Sequence, residues 1–423
     1  MTDSHPQRWR ILGLLALAEL LGMSLWFTAS AVSPDFAQRW ALGPGQVAWL
    51  TTAVQLGFVA GTALAALLNL ADLWPARRYF AGAAVLAAGA NALLVLAPGY
   101  GAVLTLRFLT GLFLAGVYPP AMKMIATWFR TARGLAIGTV VGALTLGKAM
   151  PFLVDSLRSA GLALADVILL PSAGALAAAG LVWLLYRDGP YAFARRPFSW
   201  RLVGAVLRDR PTRLAIGGYL GHMWELYAMW ALVTLFYADY FLAHGARELV
   251  ATTLASATGF MVIGAGAIGA IVAGVAADRW GRERVAAGAM LISGTCALTI
   301  GWLAGAAVWL VVGLGVLWGV TIVADSAQFS ALVTEVAPGH AVGTALTLQT
   351  SLGFALTAFS IWLAAWLADA AGWGVAFGML AVGPALGIAA MVRLERLRRN
   401  GRGSGGVRGA VAADGSTLDP VET

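Results

Sequence analysis

Six ionisable side chains interrupt stretches of sequence that are otherwise apolar: Glu19, Arg107, Lys148, His222, Glu225 and Asp325. A charge held inside a bilayer is costly, and such residues normally face a cavity or a partner. Arg107 keeps its charge at any accessible pH, so it suits a fixed anion anchor or a permanent counter-ion, with a structural carboxylate pair as the alternative. An unpartnered Lys148 would attract an anionic substrate, and its alternative is to snorkel towards the membrane surface. His222 and Glu225 stand at i and i+3 on one helix face, and a histidine–carboxylate pair can titrate near neutral pH, as proton coupling requires. The alternative for that pair is a satisfied packing contact. Glu19 and Asp325 are further proton-coupling candidates. Asp325 lies in ADSAQFSALVTE, where it could instead cap a helix or pair with a basic surface. Gln55 and Gln349 add uncharged polar lining, as do Asn91 and Gln328. Trp26, Trp224 and Tyr227 add a ring-lined wall.

The elements that must position these residues are membrane helices. The chain of 423 residues is 60% hydrophobic and 11% charged, against about 25% charged in soluble domains. Apolar runs near or above the roughly 20 residues needed to cross a bilayer recur at 11–32, 46–69, 78–97, 102–127, 132–154, 163–186, 213–238, 251–276, 284–304, 307–332, 341–368 and 373–392. We call these spans one to twelve. Breakers mark gaps between them, as at Ser33-Pro34-Asp35 and Pro98-Gly99. With the N-terminus placed inside, the inner segments and span ends hold 22 of the 28 basic residues and the outer loops hold three. That asymmetry places both termini in the cytoplasm, in an inner (plasma) membrane. At the helical rise, Arg107 sits about 8 Å below the outer end of span four, and Lys148 about 24 Å up span five. The two cations are therefore expected at similar depth. The first run is too long for the apolar core of a signal peptide. Cys296 is the single cysteine, so no intrachain disulfide is possible, and four scattered histidines give no metal-ligand cluster.

One charged turn lies between spans eight and nine: Gly274-x-x-x-Asp278-Arg279-x-Gly281-Arg282-x-Arg284. A worn copy, with Asp72, Arg77 and Arg78, lies between spans two and three. A charged turn repeated at half-length points to duplicated halves. The pattern resembles the cytoplasmic loop signature of the major facilitator superfamily, and RFLTGLFLA around Arg107 is similar to the fourth-span signature of its proton-coupled branches. The worn copy departs from the pattern at Pro75 and Ala76. In span five, GALTLGKAMP lacks the central Gly-Pro pair of the drug/proton antiporters, which weakens a drug-efflux reading. The resemblance implies an all-α integral membrane fold of twelve transmembrane helices in two pseudo-symmetric six-helix bundles. It places residues 1–186 in the first bundle, 187–212 in a basic cytoplasmic linker and 213–399 in the second bundle. A Gly- and Ser-rich tail, 400–423, reads as disordered. It also implies that spans one, four, seven and ten line a central cavity, and five of the six charges fall there. Asp72, Arg77, Arg78, Asp278, Arg279, Gly281 and Arg282 would form a conformational latch, Gly281 allowing the tight turn.

Small residues at intervals of four, Gly134/Gly138/Gly142 and Gly266/Ala270/Gly274, predict close helix packing, and Gly147 with Pro151 predicts a weak point in span five. The sequence holds no phosphate-cradling Gly-x-x-x-x-Gly-Lys-Ser/Thr loop, nucleophile constellation or catalytic extramembrane segment. The expectation is therefore a monomeric, alternating-access secondary transporter, not an enzyme, with no cofactor, metal or nucleic-acid partner, moving a small solute with protons. With histidine neutral, the buried charges sum to +1 in the first half and −2 in the second. An organic or inorganic anion is the favoured solute. Efflux of hydrophobic or cationic compounds steered by Glu19, Glu225 and Asp325 is the alternative, and a non-transporting sensor is a distant third.

Overall fold

The computed structural model describes residues 5–68, 70, 74–129, 131–191 and 199–411. Among them there is no strand. Span one is three helices, Arg8–Met23, Thr28–Ala31 and Ser33–Trp40. Spans two and three are Pro44–Leu67 and Ala76–Ala92, the latter ending in a tighter turn, Leu93–Leu96. Span four is Tyr100–Leu114 followed by Tyr118–Ala126, span five is Arg133–Ser156, and span six is Leu164–Leu185. A short helix, Trp200–Arg208, lies within the expected linker. Spans seven, eight and nine are Arg210–Ala243, Glu248–Trp280 and Arg282–Ile300. Span ten is Val308–Ala324 and Ser326–Val336, span eleven Val342–Ala371, and span twelve Trp373–Leu380 and Val382–Val411.

Ten of these segments are long and apolar enough to cross a membrane. The other two expected spans are helical as well. Span one stops at Met23 before restarting, and span nine opens on Arg-Glu-Arg. Asp209 explains why span seven begins earlier than its apolar run: its carboxylate accepts from the Thr212 backbone N–H at 2.9 Å, and Pro211 occupies the first turn. Span twelve continues past the expected tail boundary, to Val411, and before that boundary Arg398 contacts Glu283 at 2.7 Å and Glu335 at 3.0 Å.

Breaks and seams position the site. Span four breaks before Tyr118-Pro119-Pro120, where two prolines remove helix donors. Span ten breaks at Asp325. Span five, by contrast, runs as one helix through Pro151. Gly147 admits span one: a Cβ there would lie 2.2 Å from the Leu20 carbonyl oxygen. Both small-residue ribbons pack closely, as expected, and their partners are each other. A Cβ at Gly134 or Gly138 would stand 2.6 Å from the carbonyl oxygen of Gly274 or Ala270. Two further seams are reciprocal. Gly57 meets the Phe108 carbonyl while Gly111 meets that of Val54, and Gly269 meets the Val320 carbonyl while Gly319 meets that of Val262. Spans two and four, and spans eight and ten, are thus joined by the same device. Gly281 makes the predicted turn at φ +91, a conformation that favours glycine.

Candidate functional site

One end of the bundle carries Arg8, Arg133, Arg282 and Arg398; we call it the basic end. Two cavities lead inward from it. The larger, about 470 Å³, lies between spans four, five, ten and eleven, with Lys123, Arg133, Arg282 and Glu335 around it and Met122, Ile137, Val342 and Leu346 as apolar wall. It adjoins a central chamber of about 70 Å³ through Tyr118, Val141, Ser330 and Thr350, which line both.

The chamber is built around Lys148. Its Nζ donates to the Tyr227 hydroxyl at 2.5 Å and lies over three rings, 4.1 Å from the centroid of Trp26, 4.6 Å from Tyr227 and 5.1 Å from Trp230. Lys148 belongs to span five, Trp26 to span one, and the other two rings to span seven, so the lysine contacts both halves. Trp26 and Trp230 line the chamber, and their indole N–H groups have no acceptor among the described residues. No Asp or Glu lines the chamber among the described residues, and Lys148 is the only Lys or Arg that does.

The other predicted charges take different places. Arg107 is fully buried but is not on the chamber. Its guanidinium donates to the Leu25 carbonyl at 3.0 Å, to Asn91 Oδ1 at 3.2 Å and to the Trp26 carbonyl. Those carbonyls lie in the Ser24–Phe27 break of span one, which leaves backbone acceptors without regular helical partners. Arg107 therefore holds the break, where the sequence suggested an anion anchor or a carboxylate pair.

His222 and Glu225 do not pair. The Nδ1 of His222 stands 2.8 Å from Asp325 at the break of span ten, and its Nε2 meets the Ser326 hydroxyl at 2.9 Å. His222 and Ser326 face the chamber. Glu225 accepts from Trp318 Nε1 at 2.7 Å and from Ser293 at 2.9 Å, away from the chamber. A step of three residues turns a helix face by about 60°, enough to send the two side chains to different neighbours. Glu19 is fully buried, and neither oxygen accepts a hydrogen bond among the described residues. It lies near enough to Lys148 for their charges to interact. Gln55 accepts from the Thr357 hydroxyl of span eleven, and the Gln349 amide is buried without a partner among the described residues.

Contacts join the halves at the chamber and towards the end opposite the basic end. Besides Gln55 and Thr357, Ser256 of span eight donates to Asp155 of span five at 2.5 Å, and Phe58 packs on Phe354 at 4.6 Å between centroids. Arg158 holds Asp35 at 2.7 Å and Asp155 at 3.3 Å. Asp155, Ser256, Ser326, Trp230 and Thr357 were missed from sequence. Asp155 alone carried a signal, a carboxylate at the end of an apolar run.

At the basic end, Arg282 contacts Glu335 at 2.7 Å, Gln328 at 3.1 Å and Asp278 at 3.8 Å, and Arg284 contacts Glu395 at 2.7 Å. The Asp278 carboxylate also lies against the first turn of span five; a Cβ at Gly134 would stand 2.7 Å from it. Arg279 is exposed, as are Arg77 and Arg78, and Asp72 lies outside the described residues.

The chain thus has broken helices around a central chamber, a larger cavity joining that chamber to the basic end, and the Asp278–Gly281–Arg282 turn. The sequence profile of the Major Facilitator Superfamily matches residues 14–261 and 226–415. The chain belongs to the major facilitator superfamily. It is thus a multi-pass integral membrane protein of a transporter family. Uncharacterized transporters named YgaY, from Escherichia coli K12 and O157:H7, are each 27% identical over 146 residues, 34% of this chain and 36% of theirs. The chain therefore matches about a third of the length of these curated relatives. Two solved structures share the superfamily fold. The human organic anion transporter MFSD10 (TETRAN) superposes with a TM-score of 0.64 at 14% identity, over 92% of this chain and 100% of that one. A bacterial homolog of the human lysosomal transporter Spinster, inward-facing and unoccupied, gives 0.62 at 15% identity, over 92% and 94%.

Proposed function

We propose that this superfamily member is a proton-coupled, alternating-access transporter of a small anion, monomeric in an inner membrane with both termini cytoplasmic. One observation carries the anion reading: the described lining of the central chamber holds one cation, Lys148, and no carboxylate. The alternative cationic cargo would rely on Glu19, Glu225 and Asp325, none of which lines it. The ring faces that could attract an organic cation already hold the Lys148 ammonium.

His222, backed by Asp325, is the chamber-facing group suited to take up a proton, and Glu19, off the chamber but near Lys148, is the second candidate. Glu225 has a positioning role, holding spans seven, nine and ten together. The Arg282 and Arg398 network ties spans eight, nine, ten and twelve. Asp278, against span five, is the part of the latch that would engage in one state and release in the other.

Thermal stabilisation of the purified protein by sodium benzoate, succinate and sulfate is compared with that by choline and tetraphenylphosphonium chlorides. Stabilisation by one or more anions, lost in Lys148→Met, is expected. Saturable stabilisation by a cation that survives Lys148→Met overturns the anion reading. In proteoliposomes carrying a pH-sensitive dye, His222→Gln should stop proton movement accompanying the stabilising anion while sparing its counterflow exchange. Proton movement at the wild-type rate in that variant rejects His222 as the coupling group.

A further inference from the structure

We infer that the solute is an organic monocarboxylate with an apolar body, which enters from the basic end with its carboxylate leading towards Lys148. This rests on the anion reading and narrows it, from three independent features.

The first is charge number. Lys148 is the one cationic Lys or Arg on the described chamber lining, and the nearby Arg107 is engaged by backbone carbonyls and Asn91. With Glu19, the second proposed proton site, in its protonated form, one negative charge is matched. The second charge of a dicarboxylate, sulfate or phosphate would be desolvated among rings without a counter-charge, which is strongly unfavourable.

The second is the orientation of the rings. The Lys148 ammonium lies over Trp26, Tyr227 and Trp230. Ring faces carry the negative part of the aromatic quadrupole, so they attract a cation and repel an anion pressed against them. A compact anion wrapped by these rings is disfavoured. A carboxylate can reach the ammonium from the side the rings leave open. By position along their helices, Tyr118, Ser330 and Thr350 lie on the basic-end side of Lys148, and their hydroxyl groups can donate to it. The unpartnered indole N–H groups of Trp26 and Trp230 supply further donors at ring edges.

The third is what lies behind the carboxylate. The adjoining cavity, about 470 Å³, is within the usual size of small-molecule sites, and Met122, Ile137, Val141, Val342 and Leu346 give it apolar walls. A hydrated inorganic ion gains nothing from those walls, whereas an aromatic or aliphatic body is removed from water there. Around this cavity Lys123, Arg133 and Arg282 outnumber Glu335, which pairs with Arg282, and the net positive charge favours approach of an anion.

The test is isothermal titration of the purified full-length protein with four sodium salts. Naphthalene-1-acetate has one carboxylate and a large body, acetate the same head without the body, succinate two heads, and sulfate a compact dianion. Naphthalene-1-acetate should bind at least about tenfold more tightly than each of the others, a difference of about 1.4 kcal/mol. Lys148→Met should weaken it at least about tenfold, and Lys148→Gln serves if the methionine variant does not fold. Leu346→Asn should shrink the ratio between naphthalene-1-acetate and acetate affinities. If succinate or sulfate binds as tightly as naphthalene-1-acetate, and Lys148→Met abolishes this, the anion reading stands and the monocarboxylate inference falls. If no carboxylate binds and choline or tetraphenylphosphonium does, both fall. Absence of naphthalene-1-acetate binding overturns the inference by itself.

Discussion

Replacing Arg107 by lysine separates two roles that the sequence left open. The guanidinium's two terminal nitrogens span three acceptors, the carbonyls of Leu25 and Trp26 and Oδ1 of Asn91, contributed by spans one and three, and its Nε reaches the Leu50 carbonyl of span two at 3.5 Å. A lysine keeps the charge but presents its donors from a single nitrogen, so it cannot span the same three points. Two acceptors would be left in a buried, water-poor site. At about 1–3 kcal/mol for each buried polar group left unpartnered, and allowing for partial recovery by the ammonium, Arg107→Lys should cost about 2–4 kcal/mol. Denaturant unfolding in mixed micelles, followed by tryptophan fluorescence, measures this directly. Binding of the stabilising anion should weaken only moderately, through looser placement of Trp26. Lys148→Met should give the converse, binding lost with a smaller change in stability. Arg107→Lys unfolding like the wild type while losing anion binding would refute the argument and return Arg107 to the substrate.

Asp278→Asn should lower the transport rate while leaving equilibrium anion affinity unchanged, because Asp278 touches span five and not the chamber; a wild-type rate at equal expression rules the latch out. Gly138→Val places carbon where a Cβ alone would be 2.6 Å from the Ala270 carbonyl, and such overpacking typically costs about 1–3 kcal/mol. It should lengthen the spin-label distance between the basic ends of spans five and eight, and an unchanged distance contradicts the close seam. A cysteine at position 402 should be unreactive to an impermeant maleimide applied to intact cells, and labelling from outside overturns the proposed orientation.

The spans were legible because apolar runs of bilayer length leave little choice of structure, and the Gly281 turn because a charged gap with a glycine has few solutions. The seam of Gly134 and Gly138 was legible as a ribbon, though its partner on span eight was not. The site was harder. His222 and Glu225 share a face by spacing, yet tertiary contacts give one to Asp325 and the other to Trp318 and Ser293. The role of Arg107 depends on a break at Ser24–Phe27 that contains neither proline nor glycine, so no local residue signals the carbonyls it holds. The Asp155–Ser256 and Gln55–Thr357 contacts join residues far apart in sequence, and short-range periodicity contains no information about them.

The reciprocal glycine contacts between spans two and four, and between spans eight and ten, govern how the molecule can deform. In each seam a carbonyl occupies the space a β-carbon would need, on both helices. These pairs have no slack and behave as stiff beams. The compliance needed for a transport cycle must then reside in other places: the helix breaks, and the polar contacts at the end opposite the basic end. In a saturation mutagenesis screen for growth on the transported solute, Gly57, Gly111, Gly269 and Gly319 should be among the least tolerant positions in the chain, although none of them reaches the chamber. Intolerance would then map the mechanical skeleton as clearly as it maps the binding site, and the two maps would overlap very little.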